Sequence, residues 1–322
     1  MLQLARNCTY LLPSALPQVT VGLTIQGSPT STIERGYPGS LPLLWVGTSD
    51  GVTVSNVNFK NGDASDGGAI YGEDGPVTVN GGTFSGHTAT TEGGAIGSEG
   101  TSSVRNSTFA GNTGTYGGAL YNDDDATVSD STFTGNAAGT YGGAIEVEAG
   151  TSTLNRDSFT KNSSAYGGGI EVEAGTLHVS TGYFQQNTAT DEGGGIVNYS
   201  MMTLDNTTFN NNGGGFSGEG HETVDGIFLK GNTATYGGGM YTADAMTLSG
   251  GTFSNNTAYE GGGVYNTSGL ILTGTKVVYN HAPAGEGGGI YHGALVNLTN
   301  TTVRFNTANN CSLAASISGC TG

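Results

Sequence analysis

Basic side chains are scarce in this chain. It carries 9 Lys plus Arg against 26 Asp plus Glu, a formal charge of −17 over 322 residues. Such a surface repels phosphate backbones and anionic headgroups, which argues against nucleic acid and membrane surfaces as partners. Long apolar runs are missing too: no stretch approaches the roughly 20 residues that a membrane helix needs. The first letters, MLQLARNCTYLLPSALP, have no basic start and no continuous apolar block, so they do not read as a secretory leader. Cysteine is limited to Cys8, Cys311 and Cys320. The last two are spaced to close a small loop in an oxidising compartment, with Cys8 left over; buried free thiols are the alternative. Helical spacing, a nucleophile elbow, a phosphate loop, zinc-ligand spacing and an ordered Ser/His/Asp set are all missing.

What the chain has is glycine, 59 residues of it, and repetition. Gly-Gly followed by a small and then an apolar residue begins at 67, 93, 117, 142, 167, 193, 213, 237, 261 and 287. Between these lies a second phrase, an apolar residue, two others, then Asn. It places Asn112, Asn136, Asn162, Asn187, Asn212, Asn232, Asn256, Asn280 and Asn306 in one column. Five residues before each apolar residue comes another, as in Val79, Val104, Val128 and Leu154. Short β-rich segments at a fixed interval, none able to bury its own apolar face, predict a solenoid. The expected fold is all-β: a right-handed parallel β-helix of about eleven coils of ~25 residues over 52–310. Residues 1–51 hold five of the seven prolines and the only tryptophan, Trp45, and read as an N-terminal cap with an irregular first coil. Residues 311–322 read as a tail. Stacked asparagines are expected to hydrogen-bond along the axis and to supply left-handed corners; the glycine pairs are expected to turn the next corner.

The phrases GGA[I/L] and FxxN resemble the repeats of the polymorphic outer membrane proteins of chlamydial type, and of bacterial β-helix surface and secreted proteins more widely. The resemblance covers about residues 52–310. It implies a bacterial protein that is secreted or on the cell surface. The polymorphic outer membrane proteins end in a membrane β-barrel; CSLAASISGCTG does not read as barrel strands, so direct membrane insertion is not expected of these letters.

One phrase is printed almost twice: YGGAIEVE at 141–148 and YGGGIEVE at 166–173. In register, Glu146 and Glu171 fall in an outward column, Asp123, Glu148 and Glu173 in the next, and Tyr116, Tyr141 and Tyr166 in the column before each Gly-Gly, with Tyr121 beside them. Clustered carboxylates repel, raise one another's pKa or recruit a hard cation, so Glu146, Glu148, Glu171 and Glu173 are candidate Ca²⁺ ligands. No other cofactor is expected. Tyrosine faces beside acids suit sugar rings, so an extended Tyr/Glu face points to an adhesin-like, carbohydrate-binding or structural module. Its partner would be a polysaccharide or a host or cell-surface ligand. The alternative is a polysaccharide lyase, hydrolase or epimerase, with Glu146 and Glu171 as the acid pair at retaining-glycosidase spacing. Repeated decoration by duplication is a third reading. His178 interrupts a threonine column (Thr53, Thr78, Thr127, Thr153, Thr203, Thr223, Thr247) and is a candidate ligand contact. One corner is short: Asn212 runs straight into Gly213, and GFSGEGHETVDG follows, so a notch holding Glu219, His221, Glu222 and Asp225 is expected there.

Overall fold

In the computed structural model, residues 1–322 are described except 284–285, 313–316, 318–319 and 321–322. Every regular element among them is a β-strand, and all the strand ladders run parallel apart from one isolated antiparallel bridge, Leu41 to Asp63. The chain winds through about twelve turns, each laid on the last with its repeat letters in register. Four walls result. A valine wall pairs Val77 with Val52 and Ser102, and places Val79 between Val54 and Val104. A phenylalanine wall pairs Phe84 with Phe59 and Phe109. A third wall of six strands ends at Thr188–Glu192. An isoleucine wall of eleven strands runs from Leu44–Val46 to Ile290–His292.

The core is a set of ranks along the axis. Phe59, Phe84, Phe109, Phe133, Phe159, Phe184 and Phe209 stack with centroid spacings of 4.7 to 5.1 Å, and all are fully buried. Each buried ring of this size contributes about 2–3 kcal/mol of hydrophobic stabilisation. A single coil exposes its rank on both sides, so this stabilisation exists only in the stack.

Three of the corners are each turned by a left-handed residue. Between the valine and phenylalanine walls these include Asn106, Asp130, Arg156 and Thr181; at the next corner, Gly111, Gly135, Lys161 and Gln186. The ladder asparagine is the following residue, so the expectation that it takes the left-handed conformation itself is corrected. Its side chain is occupied otherwise. Asn187 Oδ1 accepts from the Asn162 backbone N–H and from Asn162 Nδ2, at 2.9 and 3.0 Å. Asn187 Nδ2 donates to the Phe159 carbonyl and to Asn212 Oδ1. The pattern repeats from Asn112 to Asn306. At the N-terminal end, His87 occupies the ladder position. Its Nδ1 accepts from the Gly62 N–H, its Nε2 donates to the Phe59 carbonyl, and burial holds its pKa down at about 4.

The third corner belongs to the glycine pairs. The first takes a positive φ, as at Gly142, where a Cβ would stand 2.2 Å from the Ile145 carbonyl oxygen. The second lies against the next coil: a Cβ on Gly143 would stand 2.1 Å from the Gly168 carbonyl.

Residues 1–51, expected as a cap with an irregular first coil, pair with the coils that follow. Leu2 pairs with Ile25, Leu23 with Val52, Thr9 with Thr32, and Leu44 with Ile70, so they continue the stack by about two turns. Trp45 stands on this first part of the isoleucine wall and donates from Nε1 to Glu73 at 2.8 Å. At the other end Cys311 is bonded to Cys320, and Cys8 is free and exposed. Most of the tail between those cysteines lies outside the described residues.

Two outcomes follow from the ladder. Asn187→Ala strands two donors of Asn162 and one carbonyl in the interior, at about 1–3 kcal/mol per stranded group. We expect urea unfolding to show a loss of at least ~3 kcal/mol; a loss below ~1 would mean the ladder is not a stability determinant. His87 binds a proton far more readily unfolded than folded. Its contribution is therefore complete above its ordinary pKa of 6.5 and is lost as pH falls towards 4. His87→Asn should resist acid better than the parent by up to roughly 3 kcal/mol between pH 7 and 4, and parallel acid curves would refute this.

Candidate functional site

The Gly-Gly corner determines where the repeated glutamates sit. The sharp fold-back at Gly142 and Gly167 brings the end of the third wall against the outward side of the isoleucine wall. Strands Ile145–Val147 and Ile170–Val172 are consequently buried on both faces. Glu146 and Glu171 point away from the core yet are each only 1% exposed. The outward column expected for Glu146 and Glu171 is therefore not solvent-exposed: an outward side chain is buried only where the surface folds inward, as it does at this corner.

Three ranks line that corner. The outward rank of the isoleucine wall is Tyr121, Glu146, Glu171 and Val197, paired in register. The rank just beyond it contains Asp123, Glu148 and Glu173. Each of those residues donates its N–H to the coil before, and the same bond carries the rank on to Glu99, Tyr199 and Glu219. The rank before the Gly-Gly turns contains Tyr116, Tyr141 and Tyr166, with ring centroids 5.9 and 5.6 Å apart and all three half-buried. Tyr121 is buried, Glu148 half-buried, and Asp123 and Glu173 are exposed.

The electrostatics follow from burial without counter-charge. Burial, then Glu171, Glu148 and Glu173, pushes Glu146 up to about 9. Burial, then Glu173 and Glu148, pushes Glu171 up to about 8. Glu148 is raised as well, by burial, by its neighbours and by a hydrogen bond to Glu173. One oxygen each from Glu146, Glu148 and Glu173 lies within 4.8 Å of the others. The Oε2 atoms of Glu146 and Glu171 are buried and have no hydrogen-bond partner among the described residues. The described salt bridges, Arg35 with Asp63 and Arg156 with Asp130, neutralise other corners.

This bears on the acid–nucleophile pair considered for Glu146 and Glu171. Both are raised, so at neutral pH neither is the ionised nucleophile that a retaining mechanism requires, and both are covered. His178 is not part of the corner. It lies exposed on the valine wall between Thr153 and Thr203.

The short corner does make a notch, but not with the expected lining. Because Asn212 runs straight into Gly213, this coil adds no strand to the third wall, and Thr188–Glu192 becomes its edge strand. Above the gap the wall resumes only as single bridges, such as Thr233 to Thr257 and Tyr236 to Glu260. The result is a cleft of about 790 Å³ lined by Asp191, Glu192, Ser217, Thr235, Tyr236 and Tyr241, among others. Tyr236 is 45% exposed, and burial raises Glu192. Glu219, His221, Glu222 and Asp225 are absent from the lining. Glu222 is instead buried under the valine wall, where Oε1 accepts from Asn198 Nδ2 and the Gly220 N–H. Beyond the cleft, Tyr241, Tyr265 and Tyr291 stack at 5.5 and 4.6 Å.

Sequence reasoning missed Glu99 and Tyr199, which extend the Asp123–Glu173 rank in both directions at the same repeat position, and assigned Glu219 to the notch rather than to this rank. Glu92, not taken as a site candidate from the sequence, is pushed up to about 7 by burial and then by Asp66, Glu99 and Asp123. Glu92 stands in the pre-Gly-Gly column, so the signal was present there.

Comparison with known proteins agrees with this architecture. Residues 42–189 match the right-handed beta helix region. The chain is a right-handed parallel β-helix repeat protein. Residues 250–267 match the Chlamydia polymorphic membrane protein repeat, so its repeat is of the type found in bacterial surface and outer-membrane β-helix proteins. No curated protein and no solved structure gives a match.

The buried pair makes a signed prediction. Unfolded, Glu146 and Glu171 lose their protons near 4.5; folded, they keep them until about 9 and 8. Their stability contribution is greatest below 4.5 and falls as pH rises through that window. In EDTA, Glu146→Gln/Glu171→Gln should melt higher than the parent at pH 8, by at least ~1 kcal/mol, with the difference shrinking towards pH 4.5. A variant less stable than the parent at pH 8 would overturn the assignment.

Proposed function

We propose that this β-helix is a bacterial cell-surface binding module, adhesin-like in its use of one long face, and that its ligand is a neutral glycan. The cleft at the missing corner carries the reading. Its volume suits a few sugar residues. It offers aromatic faces from Tyr236 and Tyr241 and acceptor oxygens from Asp191 and Glu192, which is the pairing that a sugar ring with its hydroxyls takes up. The stacked Tyr241, Tyr265 and Tyr291 continue the aromatic track along the axis, so an extended chain would meet several rings in register. The charge of −17 favours neutral over uronate-bearing chains. The repeat type supports a surface location.

Catalysis on polysaccharide is the weaker reading. Glu146 and Glu171 are covered, while the open cleft lies elsewhere. Titration against a panel of neutral and acidic oligosaccharides tests the proposal. We expect a neutral glycan to bind, and Tyr236→Ala/Glu192→Gln to weaken it by about tenfold or more, of the order of one hot-spot contact. Unchanged affinity in that variant, or binding of acidic glycans alone, would reject it.

A further inference from the structure

We infer that Glu146, Glu148 and Glu173 form a Ca²⁺ site bridging two adjacent coils, independent of the glycan cleft.

The oxygen geometry is the first support. Ligand oxygens at 2.3–2.6 Å from a shared Ca²⁺ stand up to about 5 Å apart. The oxygens of Glu146, Glu148 and Glu173 lie within 4.8 Å of one another. The donors are all hard carboxylate oxygens, with no imidazole or thiolate in the group, which selects against zinc and its neighbours.

The second support is independent of the clustering. Glu146 Oε2 and Glu171 Oε2 are buried acceptors with no partner, on residues 99% removed from solvent. A buried polar atom left unpaired costs free energy, and native structures almost always satisfy it. No donor among the described residues reaches either atom, and the described ion pairs use Arg35 and Arg156 at other corners. A cation held among Glu146, Glu148 and Glu173 would satisfy the Glu146 carboxylate. Glu148 and Glu173, on the more open side of the corner, would complete the shell and provide the way in.

Ion and proton then compete for the same oxygens. A bound ion must displace any proton that its ligand oxygens carry, so affinity rises with pH. Other acids facing the corner work in the same direction. Glu92 and Asp123 add negative charge from the neighbouring coils. From the flanking ranks come the Tyr141 and Tyr199 phenols, which stay protonated because burial and these carboxylates raise them.

The test is titration of the intact protein with CaCl2 at pH 6 and pH 8, reading melting temperature and the protons released into weak buffer. Tb³⁺ emission sensitised by the adjacent tyrosines gives a readout independent of stability. We expect a rise in melting temperature that is larger at pH 8, release of about one proton or more per ion at pH 6, and Tb³⁺ emission quenched by Ca²⁺. Glu148→Gln/Glu173→Gln alters the open side and should keep the fold while weakening Ca²⁺ by at least ~10-fold. If the folded parent releases no protons and gives no Tb³⁺ emission, the site does not exist. Equal stabilisation by Mg²⁺ or by matched NaCl would reduce the effect to charge screening and overturn it. So would unchanged affinity in the double variant.

Discussion

Each turn beside the phenylalanine wall leaves a backbone N–H and a carbonyl facing the interior, and one asparagine per coil answers for both. Asn187 accepts from the coil before and donates both to the Phe159 carbonyl and to the coil after. Because each amide spans three coils, its geometry holds only if the coils keep one spacing and one rotation. The same spacing brings the phenyl rings to within 5.1 Å of one another and lets the valine wall pair residue for residue. A buried amide chain of this kind is high-stakes: fully satisfied it fixes a unique stack, and partly satisfied it is worse than an apolar core.

That rigidity is what lets the opposite corner carry a conflict. Four carboxylates crowd two coils at a corner that the described ion pairs do not reach, and two of them are sealed beneath the surface. A soft scaffold would relax by swinging the side chains into water. Here Ile145 and Ile170 are locked in register on the core side, so the residues beside them have no such freedom. Burial and mutual repulsion raise the pKa of both buried glutamates instead.

Much of this was legible in the letters. The asparagine and phenylalanine columns could be read because a buried rank demands the same residue in every coil, and repetition makes the demand visible. The identity of the acidic ranks could be read for the same reason. Their burial could not. Whether an outward residue meets solvent depends on how sharply the Gly-Gly turn folds, a backbone property that the letters GG permit but do not specify. The membership of residues 1–51 in the stack was hidden by their prolines and irregular spacing, since pairing there is carried by short strands such as Leu23–Gln26 with no repeated phrase. At the notch the deletion itself was visible, but its lining comes from the coils on either side, which no local reading of 213–225 would find.

The missing corner also says something about how such a chain can change length. Across the deletion, Asn212 still reaches Asn187 at 3.1 Å and Asn232 at 3.0 Å, although the step to the next ladder residue has dropped to 20 positions. The amide chain therefore acts as a reading frame in space. The third wall opposite is the margin where residues can be lost without shifting the text. Insertions and deletions are tolerated along that margin and rejected in the frame, so variation in chain length would concentrate where two coils part and a cleft opens. In this architecture the cheapest sequence change is also the one that creates a new concave surface.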